Sequence, residues 1–322
     1  LDVANAVASV NGLTKTLAGG ADSICRDGPF CHFALWLRGT LRKAPVLLKT
    51  TKTNTYSFKH MIEPLENRIA PSAIVRFFEA DGDKITVKTN KGTNAELLVT
   101  LTDQNGVAIT PGETGITSFT VNLLKNATTT AAFAGTNLTI TASGGAGPTK
   151  NKANFASINA FDGGAAGIDL KNVIVKGRLV FIDAGDSDLD TFAIKNLTVI
   201  KMGPSDGSDD ATISEIQGNI KTVIVKDDFD GYFRSEDASG TPNFKTDQGT
   251  KIGKFFVADN IASKDGDNVG HLQINNIANL IVKGTFFGPL IAGINCGLIE
   301  ALSLDRISIH RMSINARIEL SS

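Results

Sequence analysis

One short pattern recurs six times in the back half of this 322-residue chain, and it limits the possible folds more than any other feature. An aliphatic anchor is followed three residues later by an apolar residue, and two later by another. The instances begin at Leu170, Ile194, Ile220, Ile252, Ile277 and Ile299, which lie 24, 26, 32, 25 and 22 residues apart. They are short, rich in β-branched residues, and give way to turn formers such as Gly177, Asp227, Asp259, Gly284 and Asp305. A second apolar run follows in most units (179–182, 229–233, 286–291), and a third precedes the anchor (213–216, 272–274). Three short strands per repeat of about 25 residues describe one coil of a parallel β-solenoid. A lone coil leaves its inward side chains wet. Stacking aligns Val173, Leu197, Val223, Phe255, Leu280 and Leu302 as a shared interior column. Each aliphatic fully buried in this way contributes ~1.5–3 kcal/mol.

Two other repeat architectures fit less well. A leucine-rich repeat places its Asn after the apolar position, whereas Asn172, Asn196 and Asn279 precede it here. A propeller blade needs about 40–50 residues. The intervals 204–210 and 235–250 are polar and rich in Gly, Pro, Ser and Asp, and read as loops extruded from the coils.

Upstream, residues 73–145 alternate with the period of two expected of strands, as in 84–89 and 97–101. Asp81-Gly82, Lys91-Gly92, Asn105-Gly106 and Pro111-Gly112 separate the runs. Asn105-Gly106 predicts a type I′ hairpin turn. The expected fold is therefore all-β: a small antiparallel β unit (73–145) followed by a parallel β-solenoid, or β-helix, of about six coils (155–315).

The first sixty residues have a different character. They carry eight Lys/Arg against three Asp/Glu, while the other 262 carry 24 against 30. They hold Trp36, Cys25 and Cys31, and the first Met is Met61. The apolar stretch 30–48 is interrupted by Arg38, Arg42 and Lys43, so it does not read as a transmembrane segment. Residues 1–60 are expected to be a leader or disordered, outside the folded body. The formal charge of −1 disfavours a dedicated nucleic-acid binder, and three Cys do not make a disulfide scaffold.

The segment 56–72 ends in Leu65, Glu66, Asn67, Arg68, Ile69, Ala70, Pro71 and Ser72. It resembles the N-terminal motif of large exported surface proteins of planctomycetes and verrucomicrobia. In those proteins a basic leader runs into Leu-Glu-Pro-Arg or Leu-Glu-Asn-Arg, then an apolar residue and small residues. The stretches 77–87 and 136–142 are similar to the β region that follows this motif, and 157–160, 167–177 and 182–185 to its first solenoid turns. The resemblance implies export through the 61–72 motif and a β-rich role at the cell surface. It implies no reaction.

Candidate chemistry is confined to acidic clusters. Asp227, Asp228 and Asp230 follow a strand directly, and Lys176 or Lys201 of neighbouring coils is placed to meet Asp227. Clustered carboxylates on adjacent coils suit acid–base or cation-assisted cleavage of a polysaccharide. Asp206, Asp209, Asp265 and Asp267 are candidate calcium ligands in Gly-containing loops. Turns favour Asp for backbone reasons alone, so the expected function is non-catalytic: an exported structural or adhesive protein of the cell surface, envelope or outer membrane. Its expected partners are polysaccharide or other surface proteins, with no cofactor beyond calcium. The alternatives are a β-helix lyase or hydrolase acting on acidic polysaccharide through Asp227, Asp228 and Asp230, and the passenger fragment of an autotransporter-like adhesin.

Overall fold

The computed structural model describes residues 72–320, apart from 111, 125–131, 148–149, 162–166, 187, 189, 205–212, 236–250, 263–269, 288–297 and 314. The expectations for residues 1–60 and for most of the 61–72 motif lie outside the described residues. The described residues form strands, turns and bends, with no α-helix among them. No helix there is long and apolar enough to cross a membrane.

The repeat folds as a parallel β-solenoid with three ladders of stacked strands. The first ladder is made by the anchor pattern. It runs from 136–140 through 170–175, 194–199, Asn219–Val225 and Lys251–Val257, then 276–282 and 303–309. Register places Leu138, Val173, Leu197, Val223, Phe255, Leu280 and Ile307 opposite one another in turn. All but the last are buried; Ile307, in the last coil, is 48% exposed. A second inward column runs parallel to it: Ile140, Val175, Val199, Val225, Val257, Val282 and Ile309.

The last coil corrects one expectation. Leu302 does not continue the column. Its backbone bends and donates to the Asn275 carbonyl, and Ile307 takes the expected place. The anchor of that coil is Leu304, opposite Ile277. Ile299 belongs instead to the third ladder, between Leu272 and Ile318.

The second ladder is a narrow edge where each coil turns. Phe119, Ala156, Leu179, Met202, Phe229, Ile261, Phe286 and Met312 stack there, several as single bridges. The third ladder comprises 182–185, Ile213–Gln217, Tyr232–Ser235, His271–Gln273, Leu298–Ala301 and Arg317–Leu320. Inside the coils Phe229, Phe233 and Phe255 come from the three different ladders and meet. Their ring centroids are 6.1, 5.1 and 6.0 Å apart, two of the pairs edge to face. Ser214, a buried hydroxyl of the third ladder, accepts the Ile182 amide at 3.1 Å, as a buried polar group ordinarily finds a partner.

The antiparallel strands share sheets with the solenoid. Ile74–Phe78 and Asp83–Thr89 add onto Thr136–Gly144, which itself pairs in parallel with Leu170–Gly185. Leu98–Thr102 and Ala108–Ile109 add onto Ser118–Asn122, which pairs in parallel with Ala153–Asn159. Phe77 and Phe119 pack edge to face at 4.9 Å between the two extensions, covering the first coil as a solenoid end requires. The turn at Asn105-Gly106 differs from expectation. Only Gly106 has positive φ (74°), and its amide donates to the Asp103 carbonyl at 3.0 Å. The Asp103 carboxylate accepts the amides of Asn105 and Val107, each at 2.8 Å. That capping favours a type I turn closed by a left-handed glycine over the type I′ form.

Candidate functional site

The densest cluster of charge lies on the turning edge, where the first ladder hands over to the second. Asp227 and Asp228 follow Asn219–Val225, one coil above Lys201 and one below Asp259. Lys201 is the hub: its Nζ lies 2.7 Å from Asp228 Oδ2 and 3.3 Å from Asp230 Oδ2. The sequence expectation names Asp227 as the carboxylate that meets Lys176 or Lys201; in the structure Lys201 pairs with Asp228 and Asp230 instead. Asp228 Oδ1 also accepts the backbone amide (3.3 Å) and side-chain amide (3.0 Å) of Asn260. Asn260 Oδ1 in turn accepts the Thr285 amide at 2.8 Å. One polar chain thus ties four successive coils together.

The two carboxylates are driven apart in acidity. Burial works against ionising Asp228, but the Lys201 hydrogen bond and charge, with Asn260, outweigh it and hold the group below the usual carboxylate range. Asp230 is 1% exposed. There burial wins over Lys201, with help from the Asp228 charge, and the group is raised. For Lys201 itself the desolvation cost is overcome by the two carboxylates, so it holds its proton more tightly. Arg178, whose guanidinium donates to the Gly203 and Pro204 carbonyls at 3.1 and 2.8 Å, is lowered by burial despite the neighbouring acids. One oxygen from each of Asp227, Asp228 and Asp259 falls within 4.8 Å of the others. These three are the described residues placed to share a cation, although Asp228 is already engaged by Lys201 and Asn260. The calcium candidates Asp206, Asp209, Asp265 and Asp267 lie outside the described residues.

A second polar network, which the sequence reading missed, covers the outer side of the third ladder. Arg234 forms an ion pair with Glu215. Tyr232 donates to Gln273 Oε1 at 2.8 Å, Gln273 donates to Glu300 Oε2 at 3.0 Å, and the same oxygen lies 3.0 Å from His271 Nε2. The Tyr232 and His271 rings stack at 4.3 Å. Burial pushes His271 down, against the pull of Glu300 and Glu319. Burial pushes Asp183 up to about 7, although it accepts the Glu215 amide at 3.0 Å. The partners are 19 to 41 residues apart in sequence at unequal intervals, so only the coil register reveals them as neighbours.

The hairpin joining 74–78 to 83–89 buries a third set. Glu79 accepts the Asn154 amide at 2.9 Å and Asp83 the Asn151 amide at 3.1 Å. Burial, reinforced by Asp81 and Asp83, raises Glu79 to about 8.

No family model, curated protein or solved structure matches this chain.

Proposed function

We propose that the protein is an exported structural or adhesive solenoid of the cell surface, acting by binding and spacing rather than by turnover. The observation that carries this reading is the unbroken interior column from Leu138 to Leu280, which makes a stiff rod of stacked strands. Its most concentrated acidic residues serve that rod: Asp228 and Asp230 clasp Lys201, and Asp228 reaches Asn260 of the next coil. The described strands break at the borders of the third ladder, after 204, 235, 262 and 287, and the sequence expects loops at 204–210 and 235–250. Loop variation there adapts a rod to partners without disturbing its core. The resemblance of residues 65–72 to an export motif supports the location. Fractionation of native cells, with protease treatment of intact cells, tests it. We expect the protein in the envelope or medium and accessible to protease; a soluble cytoplasmic pool overturns the proposal.

The opposed acidities of Asp228 and Asp230 favour one second reading, cleavage of an acidic polysaccharide by that acid–base pair. It requires new reducing or unsaturated ends from polygalacturonate, and their loss in Asp230→Asn. No product from the wild type sinks it.

A further inference from the structure

The outer side of the first ladder is a cationic sheet. Leu170, Ile194 and Ile220 are paired neighbours, so the residues that follow them, Lys171, Lys195 and Lys221, stand in one outward column. Successive rungs are about 4.8 Å apart. A second column follows the Val175, Val199, Val225, Val257 and Val282 rungs. It holds Lys176, Lys226 and Lys283 on alternate coils, with Ile200 and Ala258 between them. The lysines of alternate coils are therefore about 10 Å apart. Between the two columns runs a mostly aliphatic stripe: Ile174 (40% exposed), Thr198, Ile224, Phe256 and Ile281. Lys254 lies over the Phe256 ring at 5.4 Å. The added antiparallel strands prolong the face with Arg76, Lys84 and Lys88.

Ten cations thus share one face, and none forms an ion pair with a described carboxylate. Within the two columns the first acid is Asp305 in the last coil; Asp83 is buried, and Asp227 and the exposed Asp259 stand one residue past the second column, at the turning edge. This asymmetry arises in a chain whose residues after 60 carry more acid than base.

We infer that this face binds a linear acidic polysaccharide lying along the solenoid axis, with carboxylates on the lysine columns and sugar rings over the aliphatic stripe. The repeating register suits a polymer with regularly spaced charge. The stripe is β-branched and nearly free of aromatics, which makes it a poor stacking platform for bases. Nine of the ten cations are Lys, point charges that pair with carboxylates and phosphates alike, so the oligonucleotide and vesicle arms of the titration separate those classes. The apolar stripe is one residue wide between charged columns, whereas membrane insertion needs a broad apolar face. The inference rests on the proposed surface role only for where the polymer is met; binding itself is a property of the purified chain.

The test is titration of the full chain with polygalacturonate in a salt series, with dextran, a thymidine oligonucleotide and phosphatidylglycerol vesicles as comparisons. With about four lysines engaged at up to 0.7 per contact, a fourfold rise in salt weakens binding by roughly 50-fold. Lys171→Gln with Lys221→Gln removes charge without adding repulsion. It should reduce that salt slope by about half, with an unchanged circular dichroism spectrum. Lys150→Gln with Lys152→Gln, in the turn outside the face, should leave the slope as it was. The inference is overturned if dextran binds as well as polygalacturonate, or if the face variant binds like wild type. It is equally overturned if polygalacturonate does not bind, or if the oligonucleotide or the vesicles bind more tightly at the same salt. Failure here leaves the cellular location untouched, and a cytoplasmic location leaves the titration untouched.

Discussion

Truncating Phe255 is the sharpest probe of the shared interior. Its ring is fully buried, stands between Val223 and Leu280 in the column, and meets Phe229 and Phe233 edge to face. Burying such a ring contributes ~1.5–3 kcal/mol, and each edge-to-face partner adds about 0.5–1.5 kcal/mol. The partners come from other ladders and cannot collapse into the void without breaking rung pairing. Phe255→Ala should therefore cost ~3–5 kcal/mol. Phe255→Leu should cost roughly half that, since Leu already fills this rung at 197 and 280. Ile307→Ala occupies the same column in the half-exposed last coil and should cost under about 1 kcal/mol. Urea unfolding followed by circular dichroism ranks the three variants. Hydrogen exchange locates the damage: Phe255→Ala should lower protection in Asn219–Val225 and at 280–282 as well as in its own strand. Equal costs at 255 and 307, or protection lost in one coil only, would refute a column whose dryness depends on neighbours.

Three further outcomes follow from local chemistry. Lys201→Met strands the Asp228 and Asp230 carboxylates and should cost about 2–4 kcal/mol, with Asp230→Asn recovering part of it in the double variant; strict additivity in thermal melts argues against the shared lysine. Glu79 ionises near 8 when folded against an ordinary 4.5. The native state then holds the extra proton between those values, and stability falls as pH rises through that window. Asp183, raised to about 7 from 3.8, acts with the same sign. Melting temperature should drop between about pH 5 and about pH 9, and Glu79→Gln should narrow the drop; an unchanged drop rejects the assignment. At Gly185, φ is 109° and an added Cβ would sit 1.7 Å from the Gln217 carbonyl oxygen. Gly185→Ala should therefore melt well below Gly106→Ala, where φ is 74° and no atom lies within 4 Å.

The column was legible where anchors are strong. Val173, Leu197, Val223, Phe255 and Leu280 stand in the register that the repeat spacing predicts. It slipped in the last coil because two frames satisfy one rule. Ile299, Leu302 and Leu304 have the anchor spacing, and so do Leu304, Ile307 and Ile309. No long loop separates the third-ladder strand Leu298–Ala301 from the next anchor, so spacing alone does not choose between the frames. The first rung was hidden for another reason: its anchor position is Thr136, a buried hydroxyl that donates to Asn90 at 3.0 Å instead of an aliphatic. The turning edge contributes one inward residue per coil in several places, Phe229 and Ile261 among them, and single residues leave no periodicity. Among the acids, coil stacking points to a lysine meeting this cluster but singles out Asp227, whereas Lys201 reaches Asp228 and Asp230. The Tyr232–His271 stack depends on how much chain each loop spends before rejoining the ladder.

The lysine columns explain how a face can be arranged against its own stability. Two like charges one rung apart repel by about 1 kcal/mol in water, and Lys171, Lys195 and Lys221 set two such contacts in a row. The repulsion is screened with a Debye length of about 8 Å at physiological ionic strength and about 30 Å at 0.01 M. The dry column behind them tolerates this cost, because each rung rests on buried neighbours on both sides. Wild-type protein should therefore melt at a lower temperature as salt is removed, and the Lys171→Gln, Lys221→Gln variant should show a weaker dependence. Polygalacturonate should raise the melting temperature of the wild type more than that of the variant, since a ligand that binds only the folded face stabilises it by mass action. A melting temperature that rises as salt is withdrawn would mean that attraction between the face and the chain's surplus acids outweighs repulsion within it, and the columns would then be neutralised internally instead of held open for a polyanion.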